Sequence, residues 1–193
     1  MDKRTALQQY FGFSSFRDGQ QTLIDATLAG RDTLGVMPTG GGKSLCYELP
    51  ALLLPGITLV ISPLISLMKD QVMALRSAGI PAGCINSSMS LDELRETYRD
   101  ARYGAYKLLY VAPERLLTDG FCSLAQELEI PLVAVDEAHC ISQWGQDFRP
   151  SYLKIVEFLQ RLPRRPAVAA FTATATAQVR ADIIRILQLH EPE

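Results

Sequence analysis

Three glycines followed by a lysine and a serine form the segment of this sequence with the clearest chemical pattern. In Gly40–Gly42 the backbone N–H groups can turn toward one anion, because no side chain blocks the approach. Lys43 can reach the β- and γ-phosphates of a nucleotide, and Ser44 can ligate Mg²⁺. Met37 stands where the first glycine of the pattern G-x-x-x-x-G-K-[ST] would fall. The segment predicts a phosphate-binding loop, and a glycine-rich turn without a ligand is the alternative.

An acidic pair follows the apolar segment Leu132–Val135. Asp136 at the end of a buried strand could hold Mg²⁺ in a nucleoside triphosphatase. Glu137 is then placed to orient and activate the attacking water. Acids that complement the positive end of a helix are the alternative interpretation. His139 is either a structural histidine or a link between the nucleotide and a neighbouring site.

Short apolar runs alternate with longer amphipathic segments, as expected for elements that position these residues. The predicted strands are Thr33–Met37, Ile57–Ile61, Ala82–Ile85, Leu108–Val111, Leu132–Val135 and Val168–Phe171. The predicted helices are Gly19–Leu28, Lys43–Leu53, Ile65–Ala78, Ser90–Arg102, Phe121–Leu128, Tyr152–Leu162 and Ala177–Leu187. This alternation indicates βαβ units, an α/β fold and a parallel sheet. The length of 193 residues predicts a single domain over residues 1–193.

Five of the predicted strands are followed at once by a polar or Gly/Pro-containing segment. In an open parallel sheet the carboxyl ends of the strands lie along one edge, and ligands bind in the crevice there. The sequence therefore predicts that five distant segments share one edge of the sheet. They are Pro38–Ser44, Ser62–Ser66, Ala112–Arg115, Asp136–His139 and Thr172–Thr176.

The charge, the cysteines and the apolar runs argue against a broad basic nucleic-acid surface, a zinc site and a membrane span. Nineteen basic and 21 acidic residues give a formal net charge of -2, so a nucleic-acid site would have to be a local patch. The four cysteines form no C-x-x-C pair, so no zinc site is predicted and the thiols are expected to be reduced. Glu48–Met68 is as long as a membrane span, but prolines and a glycine interrupt it. The cysteines are Cys46, Cys84, Cys122 and Cys140.

Six segments resemble the motifs of superfamily 2 helicases. Two of them, Phe11–Gln20 and Ser142–Pro150, are similar to features of the RecQ helicases. The six segments correspond to motif 0, motif I, motif Ia, motif II, the aromatic-rich loop and motif III: Phe11–Gln20, Pro38–Ser44, Ser62–Gln71, Asp136–His139, Ser142–Pro150 and Thr172–Thr174. The resemblance runs from about Leu7 to Leu189. It implies the first RecA-like lobe, a P-loop NTPase domain, of an ATP-dependent 3′-5′ DNA helicase that acts in DNA repair and recombination. An RNA helicase lobe of the same superfamily is one alternative, and a nucleotide- or DNA-binding module without turnover is another.

The resemblance implies ATP and Mg²⁺ as cofactors and three groups of site residues. The catalytic group is Lys43, Asp136 and Glu137. The nucleotide-binding group is Phe13, Arg17, Gln20, Thr39, Gly40, Gly41, Gly42, Lys43 and Ser44, with Ser44 and Asp136 as the Mg²⁺ ligands. The group that binds DNA or couples it to the nucleotide is Ser66, Lys69, His139, Trp144, Phe148, Arg149, Thr172 and Thr174.

In motif 0, Phe13 could stack on adenine and Gln20 could read the edge of the base. Arg17 would contact the nucleotide or brace the pocket. For Phe11 and Phe16 a place in a core cluster is favoured over contact with the base.

On the DNA side, Trp144 and Phe148 could stack on unpaired bases while Arg149 meets phosphate, and a packed aromatic loop is the alternative. Motif Ia offers Ser66, Lys69 and Gln71 to a DNA backbone, although Lys69 could equally be a solvated helix charge. The threonines of motif III either relay between the nucleotide and DNA or cap a helix.

The resemblance also implies partners that this sequence does not contain. RecQ helicases have a second RecA-like lobe with an arginine finger, followed by zinc-binding and winged-helix regions. We therefore expect weak nucleotide binding and poor hydrolysis by the 193 residues alone, and weak, salt-sensitive binding of single-stranded or junction DNA. A membrane partner is not expected, and the location implied is the bacterial nucleoid in the cytoplasm, or the nucleus.

Overall fold

A computed structural model describes residues 1–193 and contains one six-stranded parallel sheet. The strands are β1 Thr33–Val36, β2 Thr58–Ile61, β3 Ala82–Ile85, β4 Leu108–Val111, β5 Leu132–Val135 and β6 Ala167–Thr172. Their order across the sheet is β1-β6-β5-β2-β4-β3. The predicted α/β fold with a parallel sheet is confirmed.

Eight α-helices connect or flank these strands. They are α1 Lys3–Ala6, α2 Gln20–Leu28, α3 Leu45–Leu53, α4 Ile65–Ser77, α5 Leu91–Arg102, α6 Asp119–Glu127, α7 Lys154–Arg161 and α8 Ala177–Ile186. A π-helical turn and three 3₁₀ turns complete the regular structure: Leu7–Phe11, Pro113–Arg115, Ala138–Ile141 and Pro150–Leu153. None of the helices combines the length and the apolar character needed to span a membrane.

The predicted elements all form, and their boundaries move by a few residues. One such change is at the helix predicted from Tyr152, because Pro150 opens a 3₁₀ turn and α7 begins only at Lys154. Proline fixes φ and lacks an N–H, so it favours the first position of such a turn. The helix predicted from Ser90 begins at Leu91, and Ser90 caps it by accepting a hydrogen bond from the Glu93 N–H at 3.2 Å.

The sheet is buried on both faces, and successive strand residues alternate between two apolar cores. Ile61, Val111 and Val135 lie in the core that packs against helices α5 to α8. Their neighbours Val60 and Tyr110 lie in the core that packs against helices α2 to α4. Strands buried on both faces are expected to read as continuous apolar runs, which is why their positions were visible in the sequence.

Asp32, immediately before β1, ties the last residues of the chain to the edge of the sheet. Its carboxylate accepts hydrogen bonds from the Arg165 guanidinium at 2.7 and 3.1 Å, from the Val168 N–H at 2.9 Å and from the His190 N–H at 2.7 Å. Burial opposes ionisation, but these hydrogen bonds outweigh it and hold the pKa of Asp32 below its usual 3.8. Glu193 adds backbone hydrogen bonds with Asp32 and Leu34.

Replacement of Asp32 tests the importance of this cluster. Asp32→Ala leaves buried donors without an acceptor, so we expect it to lower the free energy of unfolding by roughly 3 kcal/mol. Asp25→Ala is the matched control, since Asp25 forms an exposed ion pair with Lys3 worth less than about 1 kcal/mol. Urea unfolding followed by circular dichroism measures both, and equal losses would contradict this role of Asp32.

The same carboxylate predicts a pH dependence. Because the folded pKa of Asp32 lies below 3.8, its contribution is fully present above the unfolded pKa and is lost as the pH falls through the folded pKa. The stability difference between the wild type and Asp32→Asn should therefore stay constant near neutrality and shrink in acid below pH 3.8. Urea titrations of both proteins across this range measure it, and a difference that grows on acidification would contradict the assignment.

Candidate active site

A cavity of about 420 Å³ opens at the carboxyl edge of the sheet. Every residue predicted to bind nucleotide or Mg²⁺ or to take part in catalysis lines it except Gly41. Those residues are Phe13, Arg17, Gln20, Thr39, Gly40, Gly42, Lys43, Ser44, Asp136 and Glu137. Motif 0, the loop after β1 and the loop after β5 therefore meet in one cavity, as their placement after parallel strands predicts.

The glycine-rich loop leaves β1 through a tight turn and then enters α3. The Gly41 N–H donates to the Pro38 carbonyl at 2.8 Å. Gly42 has a φ of +81°, a conformation that favours glycine, and a Cβ atom there would lie 2.3 Å from Nε2 of Gln20 and displace that amide. The Lys43 ammonium lies 3.5 Å from the Met37 carbonyl and so bends back over the loop.

Gln20 joins motif 0 to the glycine-rich loop. Its side-chain oxygen accepts from the Arg17 N–H at 2.8 Å, and its amide nitrogen donates to the Gly42 carbonyl at 3.1 Å. The Arg17 guanidinium also donates to the Gly40 carbonyl. Both ends of the Gln20 amide are thus occupied within the protein, and the residue is only 3% exposed. One amide hydrogen and one lone pair of the oxygen remain for a ligand, and the predicted contact with adenine stays a prediction.

The three phenylalanines of motif 0 separate into two roles. Phe13 is 51% exposed and its ring lies at the cavity, where it is free to stack on a planar ligand. Phe11 and Phe16 pack against the apolar clusters under α2 and α3. The prediction that Phe11 and Phe16 belong to the core is confirmed, although Phe11 also reaches the cavity wall.

The acidic pair lies at the end of β5 on a sharply turned backbone. Asp136 is 6% exposed, and its Oδ1 accepts from the Glu137 N–H at 2.9 Å. Burial and the neighbouring Glu137 charge raise the pKa of Asp136 to about 6. The hydroxyl of Tyr152 donates to the Asp136 carbonyl at 2.8 Å. Glu137 has a φ of +50°, a left-handed conformation that is costly for a residue other than glycine, and both carboxylates line the cavity.

His139 connects the acidic pair to the segment after β6. Its Nδ1 lies 2.7 Å from the Thr172 hydroxyl and 3.4 Å from Oε2 of Glu137. The hydroxyl of Thr172 in turn donates to the Thr174 carbonyl at 3.1 Å. Since that bond uses the one hydroxyl hydrogen, Nδ1 of His139 must be the donor to Thr172. Motifs II and III are therefore joined by a directed hydrogen bond.

The aromatic-rich loop Ser142–Pro150, called the tryptophan loop below, lies next to this link. Trp144 is 73% exposed and stands between two cavities of about 320 and 380 Å³. His139 and Thr174 line the smaller cavity, and Phe148 lines the larger. Arg149 forms an ion pair with Asp147 at 3.1 Å. The loop thus presents its tryptophan instead of packing all its aromatics inward.

The residues of motif Ia are divided between two sides of α4. Ser66 and Lys69 lie on the exposed side of α4, and Lys69 borders a separate cavity lined also by Arg76 and Asn86. Gln71 lies on another side of the helix and lines the cavity beside the glycine-rich loop, so it does not share the exposed side of Ser66 and Lys69, and its predicted contact with a DNA backbone stays a prediction. A helix turns by 100° per residue, which separates positions two apart.

Sequence reasoning missed a second buried carboxylate in the cavity. Glu48 is 8% exposed, and Oε1 accepts from the Tyr110 hydroxyl at 3.4 Å. Burial raises the pKa of Glu48 to about 7. One signal was present: Glu48 is the charged residue of the apolar helix α3 and follows Ser44 by four positions, which places both on one face.

Comparison with known proteins places the chain in a family. Residues 17–183 match the DEAD/DEAH box helicase family, and the chain belongs to it. It is 53% identical over 188 residues to the ATP-dependent DNA helicase RecQ of Bacillus subtilis, covering 97% of this chain and 32% of that protein. It is 50% identical over 193 residues to the ATP-dependent DNA helicase RecQ of Pasteurella multocida, covering 98% of this chain and 30% of that protein. The resemblance to RecQ helicases is confirmed, and the chain spans about a third of these relatives.

Solved structures support the fold. A hypothetical ATP-dependent RNA helicase from Sulfolobus tokodaii matches with a TM-score of 0.75 and 21% identity, covering 99% of this chain and 55% of that one. The DUF1998 helicase MrfA bound to DNA matches with a TM-score of 0.76 and 17% identity, covering 97% of this chain and 28% of that one. At these identities the likeness concerns the fold alone.

The contact between Gln20 and Gly42 can be tested by substitution. Gly42→Ala adds a clash with the Gln20 amide to the strain of its positive φ, so we expect nucleotide affinity to fall about tenfold or more. Gly30→Ala is the control, because Gly30 has a φ of +77° with nothing within 4 Å. Titration with a fluorescent ATP analogue and thermal unfolding separate the two effects. An unchanged affinity in Gly42→Ala would argue against this geometry.

Proposed function

We propose that this chain is the ATP-binding first RecA-like lobe of an ATP-dependent 3′-5′ DNA helicase of the RecQ type. The observation that carries the proposal is the link from Glu137 through His139 to Thr172. It connects a cavity suited to nucleotide phosphates with a loop that exposes Trp144. The family match and the RecQ relatives favour this function over that of an RNA helicase lobe.

The cavity suits a nucleoside triphosphate with Mg²⁺. Backbone N–H groups of the glycine-rich loop and the Lys43 ammonium would hold the phosphates. The Ser44 hydroxyl and the Asp136 carboxylate would hold Mg²⁺, which supplies charge neutralisation at the β- and γ-phosphates when bound. The site fits a cation, since Asp136 is a buried carboxylate beside a second carboxylate and is destabilised in its charged form.

Hydrolysis in this proposal depends on Glu137 and on a partner. The Glu137 carboxylate would orient a water molecule for attack on the γ-phosphate. An arginine finger contributes a thousandfold or more to such reactions, and we place it on a second RecA-like lobe. We therefore expect this lobe alone to bind ATP and to turn it over slowly.

Single-stranded DNA would lie on the exposed face of the tryptophan loop. Stacking on Trp144 and Phe148 tolerates any base sequence, and Arg149 would meet phosphate. Ser66 and Lys69 would contact the backbone on α4. The nucleotide site and the DNA site would be coupled through His139, Thr172 and Thr174. A motor of this kind works on chromosomal DNA, in the bacterial nucleoid or in a nucleus.

Two substitutions test the nucleotide roles separately. Lys43→Ala removes a charge-assisted contact to phosphate and should weaken ATP binding about tenfold or more. Glu137→Gln should retain affinity and lose roughly a hundredfold in turnover, because it removes the group that activates water. Lys154→Ala, an exposed lysine on α7, is the control. Binding is measured with a fluorescent ATP analogue, and turnover as phosphate release with Mg²⁺ and single-stranded DNA.

The outcomes distinguish the alternatives. Wild-type turnover by Glu137→Gln would contradict its role. No turnover at saturating ATP, Mg²⁺ and DNA when the chain is joined to a second RecA-like lobe that carries an arginine finger would favour a binding module. An oligodeoxynucleotide and an oligoribonucleotide can be made to compete for the same site. Tighter binding of the oligoribonucleotide would favour the RNA helicase alternative.

A further inference from the structure

We propose that Asp182 is a positioning residue that sets the place of Trp144 in the tryptophan loop through Ser142. The inference rests on the proposed function for its consequence, since Trp144 is the side chain proposed to bind DNA. The contacts themselves are independent of that function. Asp182 lies 38 positions after Trp144 in the sequence and was not among the predicted site residues.

The first step is a directed chain of two hydrogen bonds. The Ser142 hydroxyl donates to Oδ2 of Asp182 at 2.7 Å. The hydroxyl oxygen of Ser142 in turn accepts from the backbone N–H of Trp144 at 3.1 Å. A serine hydroxyl has one hydrogen, so a carboxylate that takes it leaves the oxygen lone pairs for the Trp144 amide. The charge on Asp182 therefore fixes the direction of both bonds.

The second step is the rigidity of the group that makes the contact. Ser142 is fully buried and Asp182 nearly so. Asp182 lies in the middle of α8, whose residues Val179 and Ile183 are held in the core. The Thr176 hydroxyl caps this helix by accepting from the Val179 N–H at 3.2 Å. Asp182 therefore holds the loop against α8, the helix that follows Thr172 and Thr174 in the chain.

Ser142, the first residue of the tryptophan loop, also contacts the turn that follows Trp144. The Gly145 N–H donates to the Ser142 carbonyl at 3.1 Å. A Cβ atom at Gly145 would lie 2.7 Å from the His139 carbonyl, so the turn after Trp144 presses directly on the His139 backbone. A shift of Ser142 would move both the Trp144 amide and this turn. The indole would then leave its place between the two cavities.

A role in stability alone explains these contacts poorly. The other oxygen of Asp182, Oδ1, accepts from Arg185 at 3.1 Å, and that arginine side chain is largely exposed. The exposed pair with Arg185 contributes little to stability, and the buried bond from Ser142, which stabilises the fold as well, joins the loop to α8. The hydroxyl–carboxylate bond also selects one arrangement of the loop.

The chain contains one tryptophan, which makes the proposal directly measurable. In Asp182→Ala we expect a shift of the emission maximum, at least a twofold change in the acrylamide quenching constant, and about tenfold weaker binding of a single-stranded oligonucleotide. Affinity for a fluorescent ATP analogue should stay within twofold. Asp182→Asn keeps an acceptor for Ser142 and should restore most of the wild-type signal. Arg185→Ala removes only the exposed partner and should resemble the wild type.

Ser142→Ala keeps the test valid if Asp182→Ala does not fold. It should produce the same change in tryptophan fluorescence, and the double variant should add nothing further. Thermal unfolding by circular dichroism confirms that each variant is folded. Wild-type fluorescence in Asp182→Ala, or additive effects of the two substitutions, would overturn the proposal.

A Trp144→Ala variant separates this inference from the proposed function. If Trp144→Ala binds the oligonucleotide as the wild type does, the proposed DNA role of Trp144 fails. The altered fluorescence of Asp182→Ala would then still support positioning by Asp182. If Trp144→Ala loses binding while Asp182→Ala has wild-type fluorescence, the DNA role stands and positioning fails.

Discussion

The parallel hydrogen bonding of β1, β6 and β5 decides where the polar segments of this chain can lie. Val36 is in register with Thr172, and Val135 with Ala170, so the three strands end beside one another. The ladder continues past the strands, since Met37 donates to Thr172 and Asp136 donates to Ile61 on neighbouring β2. Each following residue is thereby held at the same edge, although the segments are far apart in the sequence.

That arrangement concentrates unfavourable features in one place. A buried carboxylate, a second acid beside it and a non-glycine residue with positive φ all occur within Asp136 and Glu137. Such local costs persist only where the surroundings impose them. Here β5 is buried along its whole length, and the Tyr152 hydroxyl holds the carbonyl of Asp136. The apolar cores thus stabilise a site that would not form in isolation.

The sequence predicted the elements better than their partners. β3, β4 and β5 have the predicted bounds, because short strands buried on both faces appear as uninterrupted apolar runs. The strand order could not be predicted, since no local pattern specifies which buried strand lies beside another. Among the site residues, the loop glycines and the acidic pair follow from local spacing.

Other site features depend on contacts between distant residues. The hydrogen bond from Gln20 to Gly42 joins residues 22 apart, and the predicted contact of Gln20 with the base stays a prediction. The separation of Gln71 from Ser66 and Lys69 was missed because motif Ia was treated as one surface, whereas a helix presents its residues on several sides. The bond between Ser142 and Asp182 joins positions 40 apart and carries no sequence signal.

The alternation of strand side chains between two cores has a mechanical consequence. Helices α2 to α4, which pack on one side of the sheet, include the walls of the nucleotide cavity, while the tryptophan loop and α8 are anchored on the other side. A close-packed sheet of six strands has low compressibility and transmits strain as a unit. The bond between His139 and Thr172 lies at the rim of this partition, where movement on one side can reach the other without deforming the wall between them.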